Sequence, residues 1–246
     1  MTTAKSAFVS DLTWDVVRDR LVAGAPVILP IGAGSKQHGF HLPLGTDAIQ
    51  ADWFARQVAQ RSGGLIWPCV NYGFYPAFSA YHGSVSLMRE TFEALLVDVI
   101  DTLLVQSRFA VIVVDTGIST IAPVRAAIAN CSQAQRVLYM PIYQGKNFSD
   151  VRATLVQQRH GSHADEIETS ILLAMAPDVV DMSRAQASPQ SGGRPTSGPL
   201  TPDDKSSPDY SPSGSYGDPS LASREKGEQL IAAMLRDIDD ALRTLS

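Results

Sequence analysis

The sequence predicts an α/β protein in which helices cover both faces of a mostly parallel β-sheet. Short runs of apolar, often β-branched residues alternate along the chain with longer segments of helical periodicity. Strands that are apolar on both faces occur in sheets buried on both sides, and alternation with helices is typical of parallel strand order. The strongest run is FAVIVVD at 109–115, which we place at the centre of the sheet.

The remaining elements follow in a regular order. Further strands are predicted at 27–32, 65–70, 84–87 and 136–142. Helices are predicted from 10–13 through 22, with Trp14, Val17, Leu21 and Val22 on one face, and at 47–58, 89–107, 123–132, 163–175 and 225–245. Pro177 ends the helix that begins at His163, because proline cannot continue a helix.

The domain organisation is predicted to be simple. A chain of 246 residues fits one large domain, which we place over 1–246. Residues 188–219 are rich in Ser, Pro, Gly and Asp, and this composition predicts a loop that is at least partly mobile. Residues 225–245 return to helical periodicity and predict a C-terminal helix that docks onto the domain.

Composition excludes several classes of function. The net charge is -5 and no run of Lys and Arg stands out, so we expect no nucleic-acid partner. No apolar run reaches the roughly 18 residues of a membrane span, so we expect no membrane partner. The polar amino terminus does not resemble a signal peptide, and two cysteines cannot form a disulfide framework, so we expect a cytoplasmic protein.

Polar residues that follow the predicted strands indicate where a site lies. In parallel sheets, ligands bind beyond the carboxyl ends of the strands, which meet at one edge. His38, His41 and Asp47 lie in one such strand-to-helix loop, and imidazole and carboxylate ligands suit zinc or manganese. Taken alone, this spacing also fits ordinary polar loop residues.

Four longer segments make the sequence resemble a known family. KQHGFHLPLGTD at 36–47 resembles EQHGPHLPLGTD of the creatininase family, and HADEIETS at 163–170 resembles its HAGxxETS. Residues 211–230 (SPSGSYGDPSLASREKGEQL) resemble its SGVxGDPxxAxxEKG segment, and residues 81–87 resemble its PGTISL strand. The segments occur in family order and extend over about 28–230.

The resemblance implies a fold, a reaction and a set of site residues. It implies a three-layer α/β/α sandwich, hydrolysis of cyclic and linear amides with two bridged divalent ions, and assembly into hexamers. His38 and Asp47 match metal-ligand positions, and Glu168 matches the glutamate of the ETS motif. His163 matches a histidine that transfers protons in the family, a role that suits an imidazole.

Two departures from the family pattern affect the implied metal site. Lys36 replaces a ligand glutamate, and Gly117, within VIVVDTGIST at 111–120, stands where the family has a ligand histidine. We therefore predict that the Lys36 ammonium replaces one ion and pairs with Asp47 or Glu168. At most one ion (zinc, manganese or iron) then remains on His38, Asp47 and Glu168. The competing interpretation is that no metal binds.

The leading functional hypothesis is a hydrolase that cleaves a C–N bond of a small amide, lactam or related substrate and assembles as a homo-oligomer. Here His163 transfers the proton and Lys36 stabilises the developing oxyanion. Two alternatives stay open: a metal-free lyase or isomerase that uses Lys36 as a base or nucleophile, and a non-catalytic binding or scaffold protein. Lys146 and Arg159 are candidates for binding an anionic substrate group, although most Lys and Arg side chains in proteins are simply exposed to solvent.

The aromatic loop at 71–83 also has two interpretations. Its Tyr and Phe side chains line the substrate pocket, or they pack against a neighbouring subunit. The sequence favours neither.

Overall fold

The computed structural model describes residues 6–189 and 199–245. Its centre is a four-stranded parallel sheet in the order β2-β1-β3-β4. The strands are β1 Val27–Ile31, β2 Leu65–Ile66, β3 Val111–Asp115 and β4 Val137–Pro141. The strand predicted to be central, β3, is an interior strand with every residue buried. The predicted parallel α/β architecture is confirmed.

Helices cover both faces of this sheet. Within the described residues they are α1 Trp14–Val22, α2 Thr46–Ser62, α3 Arg89–Gln106, α4 Ile121–Asn130, α5 Lys146–Leu155, α6 Glu166–Met175 and α7 Arg224–Arg243. None of them has the length and apolar character needed to cross a membrane.

The sheet separates two hydrophobic cores, because successive strand residues point to opposite faces. Ile112 and Val114 of β3 belong to a core that includes residues of α2, α5, α6 and α7. Val111 and Val113 belong to the other core, with residues of α1, α3 and α4. Each such buried side chain contributes about 1.5–3 kcal/mol, so the alternation stabilises a three-layer sandwich.

Two predicted strands differ from the structure. The strand predicted at 65–70 consists only of Leu65–Ile66, although Trp67 and Val70 still donate backbone hydrogen bonds to β1. Pro68 interrupts the ladder because it has no N–H to donate. The segment predicted as a strand at 84–87 has one isolated bridge, between Gly73 and Ser86. That prediction was wrong.

Helix boundaries also shift from their predicted positions. α6 begins at Glu166 and not at His163, because the Asp165 side chain accepts hydrogen bonds from the amides of Ile167 and Glu168 and caps the helix. His163 therefore belongs to the preceding loop. The predicted apolar face of α1 is only partly buried, since Leu21 is buried and Trp14 is exposed. α5 was not predicted.

The Ser/Pro/Gly-rich segment is partly described. Leu200, Ser211, Ser213 and Ser215 are buried, and the Tyr81 hydroxyl donates to the carbonyl oxygen of Ser211 at 2.7 Å. Part of the segment predicted to be mobile, 190–198, lies outside the described residues, so mobility stays a prediction.

The C-terminal helix packs closely on α6. Gly227 of α7 lies against the carbonyl group of Ser170, where a Cβ atom would clash. The glycine of the EKG motif therefore permits close contact between the two helices.

Candidate active site

All five predicted site residues lie at the carboxyl edge of the sheet. Lys36 and His38 lie in the loop after β1, and Asp47 is in the first turn of α2. Glu168 belongs to the first turn of α6 and His163 to the loop before it. All five side chains are buried. Residues that are up to 132 positions apart in the chain are thus brought into one cluster, as the topology predicts.

Lys36 and Asp47 form a buried ion pair. Nζ of Lys36 lies 2.6 Å from Oδ2 of Asp47 and 5.2 Å from the centre of the Phe78 ring. Burial would raise the pKa of Asp47, but the charges of Lys36 and His38 outweigh burial and hold that pKa well below its ordinary value. Asp47 is therefore charged, and the ammonium occupies one of its oxygens. This is one of the two pairings that the sequence predicted for Lys36.

His38 directs one ring nitrogen at two carboxylates. Its Nδ1 donates to the carbonyl oxygen of Lys36 at 2.8 Å. Its Nε2 lies 3.0 Å from Oδ1 of Asp47 and 3.6 Å from Oε1 of Glu168. Since a carbonyl oxygen only accepts, Nδ1 carries a hydrogen and Nε2 faces acceptors alone. A proton or a metal ion on Nε2 satisfies this geometry, and a carbonyl partner on the other nitrogen is typical of metal-binding histidines.

His163 is oriented in a similar way. Its Nε2 donates to the carbonyl oxygen of Gln37 at 2.8 Å, which leaves Nδ1 3.8 Å from Oε2 of Glu168. Two consecutive carbonyl groups, those of residues 36 and 37, therefore hold the two imidazoles. Burial lowers the pKa of His163 well below its ordinary value, and the charges of His38 and Lys36 add to the shift. The neutral ring presents the lone pair of Nδ1 to the cluster.

Glu168 is held by the turn that precedes its helix. Its Oε2 accepts a hydrogen bond from the amide of Ala164 at 2.7 Å. Ala164 has a φ of 46°, an uncommon value for a residue with a side chain, so this turn is strained. Burial raises the pKa of Glu168, the charge of His38 opposes the shift, and the charge of Asp47 adds to it.

The arrangement fits one metal ion. Ligand atoms of His38, His163 and Glu168 lie within 4.8 Å of one another. Two imidazoles and a carboxylate are a known catalytic zinc set, with metal–ligand distances of about 2.0–2.2 Å and an open position for water. The cluster shares His38 and Glu168 with the set expected from the sequence, and it has His163 in place of Asp47.

The residues that are described do not fit a second ion. The Lys36 ammonium occupies the free side of Asp47, and Gly117 offers no ligand. A Cβ atom at 117 would clash with Oγ1 of Thr120, so a side chain fits here only if Thr120 moves or is shortened.

The carboxylate of Asp115, at the end of β3, accepts hydrogen bonds from three other residues. Oδ1 of Asp115 accepts from the amide of Gly117 at 3.0 Å and from the hydroxyl of Thr120 at 2.8 Å. Its Oδ2 accepts from the hydroxyl of Tyr139 at 2.7 Å. Burial raises the pKa of Asp115 to about 6, although these hydrogen bonds oppose the shift. The partner on β4 was missed, because nothing in the sequence relates Tyr139 to Asp115.

A cleft of about 370 Å³ opens over the cluster. Its polar lining includes Lys36, Asp47, His163, Asp165 and Glu168, and its apolar lining includes Phe78, Tyr143 and Phe148. Arg152 of α5 also lines the cleft and was not predicted.

Other predicted candidates lie elsewhere. Lys146 does not line the cleft and pairs with Asp150 at 2.6 Å on the exposed surface. His41 contacts Thr169 of α6 at 2.8 Å, and burial lowers the pKa of His41 to about 4. In the aromatic loop, Phe78 lines the cleft, as the first interpretation predicts, whereas Tyr72 is exposed and packing against a neighbouring subunit stays a prediction.

A parallel three-layer sandwich with imidazoles, carboxylates and a cleft at the carboxyl edge defines an α/β protein with a metal-compatible ligand site. Residues 10–242 match the family model Creatininase, described as creatinine amidohydrolase. The chain therefore belongs to the creatininase family, whose members are hydrolases.

Two curated relatives and a solved structure match this chain over most of their length. A creatinine amidohydrolase from Pseudomonas putida is 26% identical over 259 residues, which cover 98% of this chain and 97% of that protein. A mycofactocin precursor peptide peptidase from Mycolicibacterium smegmatis is 27% identical over 225 residues, 88% of this chain and 84% of that protein. The solved structure described as "Creatininase Mn" is 25% identical and has a TM-score of 0.80, with 98% of each chain covered.

Proposed function

We propose that this protein hydrolyses a C–N bond in a small amide, lactam or related substrate and uses at most one divalent ion. The observation that carries the proposal is the cluster of His38, His163 and Glu168, of which His163 and Glu168 line a cleft of about 370 Å³ beside the buried Lys36 cation. A zinc, manganese or iron ion held there would act as a Lewis acid and lower the pKa of water.

Lys36 is assigned to charge stabilisation. Its ammonium lines the cleft and is held in place by Asp47 at 2.6 Å. A substrate carbonyl oxygen that approaches it gains negative charge during attack, and a fixed cation in a poorly solvated site stabilises that charge. The same pairing argues against Lys36 as a base or nucleophile, because a carboxylate at this distance favours the ammonium, which has no lone pair. The hydrolase is therefore preferred over the lyase or isomerase.

The third metal ligand decides the role of His163. His38 and Glu168 belong to both ligand sets, and either Asp47 or His163 completes the set. If Asp47 is the third ligand, Nδ1 of His163 remains free to accept a proton from water and return it to the leaving nitrogen. If His163 is the ligand, Asp47 serves only as the counter-ion of Lys36. Metal content distinguishes the two, because Asp47→Asn lowers it in the first case and His163→Gln lowers it in the second.

A substrate panel tests the proposal. The protein, stripped of metal and then loaded with zinc or manganese, is incubated with small lactams and linear amides, and products are identified by mass spectrometry. Glu168→Gln is expected to reduce turnover by about 10²–10⁴-fold, with the fold intact by circular dichroism. Glu228→Gln, which removes an exposed carboxylate paired with Arg224, is the matched control and should retain full turnover. No turnover in any metal state, or full activity of Glu168→Gln, would refute the proposal.

We also propose that the chain forms a homo-oligomer. The bridge between Gly73 and Ser86 brings two segments together that expose Tyr72, Val85 and Met88, the last with 72% of its surface accessible. Adjacent exposed apolar side chains are typical of interaction surfaces. Light scattering is expected to show an oligomer at micromolar concentration, which Met88→Asp should weaken. A stable wild-type monomer would contradict this.

A further inference from the structure

A second cleft adjoins the active-site cleft. It has a volume of about 430 Å³, and both clefts are lined by Arg152 and Gly161. Arg159 and His160 also line it, and we name it the cationic antechamber. We propose that the cationic antechamber binds an anionic oxygen-bearing group, a carboxylate or a phosphate, on a substrate whose C–N bond lies in the active-site cleft. The inference rests on the proposed function and names its substrate class.

The first support is an excess of positive charge over negative charge in the lining, although the charge of Arg152 also acts on the nearby buried Asp165, where it opposes the rise in pKa caused by burial. The cationic antechamber has no Asp or Glu in its lining. Within residues 6–189 and 199–245, the side chains of Arg152 and Arg159 have no ion pair or hydrogen bond, whereas Arg61, Arg89 and Arg224 each pair with a carboxylate. Two unpaired guanidinium groups along one cavity attract anions, and each presents planar donors that match a carboxylate or phosphate.

The second support is the rigid base of the loop that presents Arg159. The Glu166 carboxylate, which is buried, accepts hydrogen bonds from the amides of Gln157 and Gln158 at 2.9 and 2.8 Å. Lys226 of the EKG motif pairs with the same carboxylate at 2.5 Å.

The Gln158 side chain anchors the loop a second time. It donates to Asp165 at 2.6 Å and accepts from the amide of Asp218 at 3.0 Å. The backbone is therefore fixed on both sides while the Arg159 side chain stays free. A binding group on a fixed support loses less entropy when its ligand arrives.

The third support is the distribution of charge between the two clefts. The active-site cleft is lined by the carboxylates of Asp47, Asp165 and Glu168, of which Asp47 is paired with Lys36. An anionic group is disfavoured beside Glu168 and favoured beside the arginines. The substrate is thus oriented with its anionic end in the cationic antechamber and its neutral amide at the cluster, through their common wall at Arg152.

Matched pairs of ligands test the inference on the full chain. Succinamate and glutaramate are compared with succinamide and glutaramide by calorimetry, and 3-phosphonopropanamide, whose phosphonate is an analogue of a phosphate, forms the phosphate arm. The charged member is expected to bind about tenfold more tightly at low salt, and the ratio should fall toward one as ionic strength rises. Arg152→Gln and Arg159→Gln should each reduce the ratio several-fold. Arg108→Gln, which changes an exposed arginine at the opposite edge of the sheet, should leave it unchanged.

The outcomes separate this inference from the proposed function. Equal affinity for charged and neutral members, no binding of any charged member, or an equal effect of Arg108→Gln would overturn the inference. Whichever binds more tightly, the carboxylate ligands or 3-phosphonopropanamide, identifies the anionic group. Hydrolysis is scored separately by mass spectrometry, so charge preference without turnover of any amide refutes only the proposed function. Turnover without charge preference refutes only the inference.

Discussion

Two segments meet at the same edge of the sheet and differ in what their polar side chains contact. In the loop at 36–47, Lys36, His38 and Asp47 contact one another, and Lys36 and Asp47 line the cleft. At the end of β3, Asp115 makes its hydrogen bonds with Gly117, Thr120 and Tyr139, none of which belongs to the metal-compatible cluster.

The difference supports the proposal that Lys36 replaces one ion of the metal site implied by the family resemblance. A buried carboxylate such as Asp47 must keep a positive partner, because an unpaired buried charge is costly. Lys36 provides that partner where the resemblance implied an ion. We propose that this charge takes the place of one ion, and the β3 end, which offers no ligand at Gly117, forms structural hydrogen bonds.

The largest effect is expected from breaking the ion pair in the loop. Lys36→Met leaves Asp47 buried without its ammonium, and removing one partner of a buried pair costs about 3–5 kcal/mol. Urea unfolding should show a loss of this size, with turnover also lost. The matched control is Lys146→Met, which breaks an exposed pair with Asp150 and should leave the unfolding midpoint unchanged. Equal midpoints for the two variants would show that Lys36 does not compensate Asp47.

A smaller effect on stability, and one of opposite sign, is expected from substituting Asp115 at the end of β3. The pKa of Asp115 is about 6 in the folded protein against an ordinary value of 3.8. The folded state therefore binds this proton more tightly, and stability falls as pH rises from about 4 to about 6 and stays lower above that. Asp115→Asn removes the buried charge and should stabilise the protein at pH 7.5 by up to about 3 kcal/mol.

Measuring the stability of Asp115→Asn at a second, lower pH provides the control. At pH 4 the carboxyl group is already protonated in the folded protein, so Asp115→Asn should then change the free energy of unfolding little. A variant that is less stable than the wild type at both pH values would show that hydrogen bonding by the carboxylate outweighs its burial cost.

The smallest effect is expected on metal content, in variants that introduce ligands for a second ion. Lys36→Glu alone should leave metal content at no more than one ion per chain, because the β3 end still lacks an imidazole. Adding Gly117→His requires Thr120→Ala as well, since Oγ1 of Thr120 occupies the space of the new Cβ. The triple variant should raise metal content, measured by plasma mass spectrometry, toward two. Two ions in the wild-type protein would contradict the replacement of an ion by Lys36.

Part of the site was predictable because its determinants are close in sequence. His38 and Asp47 lie within one motif, and the parallel order inferred from 109–115 places that loop and Glu168 at one edge. The boundary at His163 was missed because the cap is a side-chain hydrogen bond from Asp165, which only the folded turn displays. α5 was missed although Phe148, Val151 and Leu155 have helical spacing and pack against one core, so the sequence did contain a signal for it.

The amino-acid sequence by itself determined the layered α/β architecture, the family and the residues that make up the cluster. Those properties follow from local patterns, namely apolar runs, helical periodicity and motifs of about 8–20 residues. Only the tertiary structure decided the orientation of those residues. Gln37 holds His163 across 126 positions, Tyr139 supports Asp115 across 24, and Arg152 reaches the cleft from an unpredicted helix. Such contacts depend on packing between elements, and the spacing of residues along the chain does not encode them.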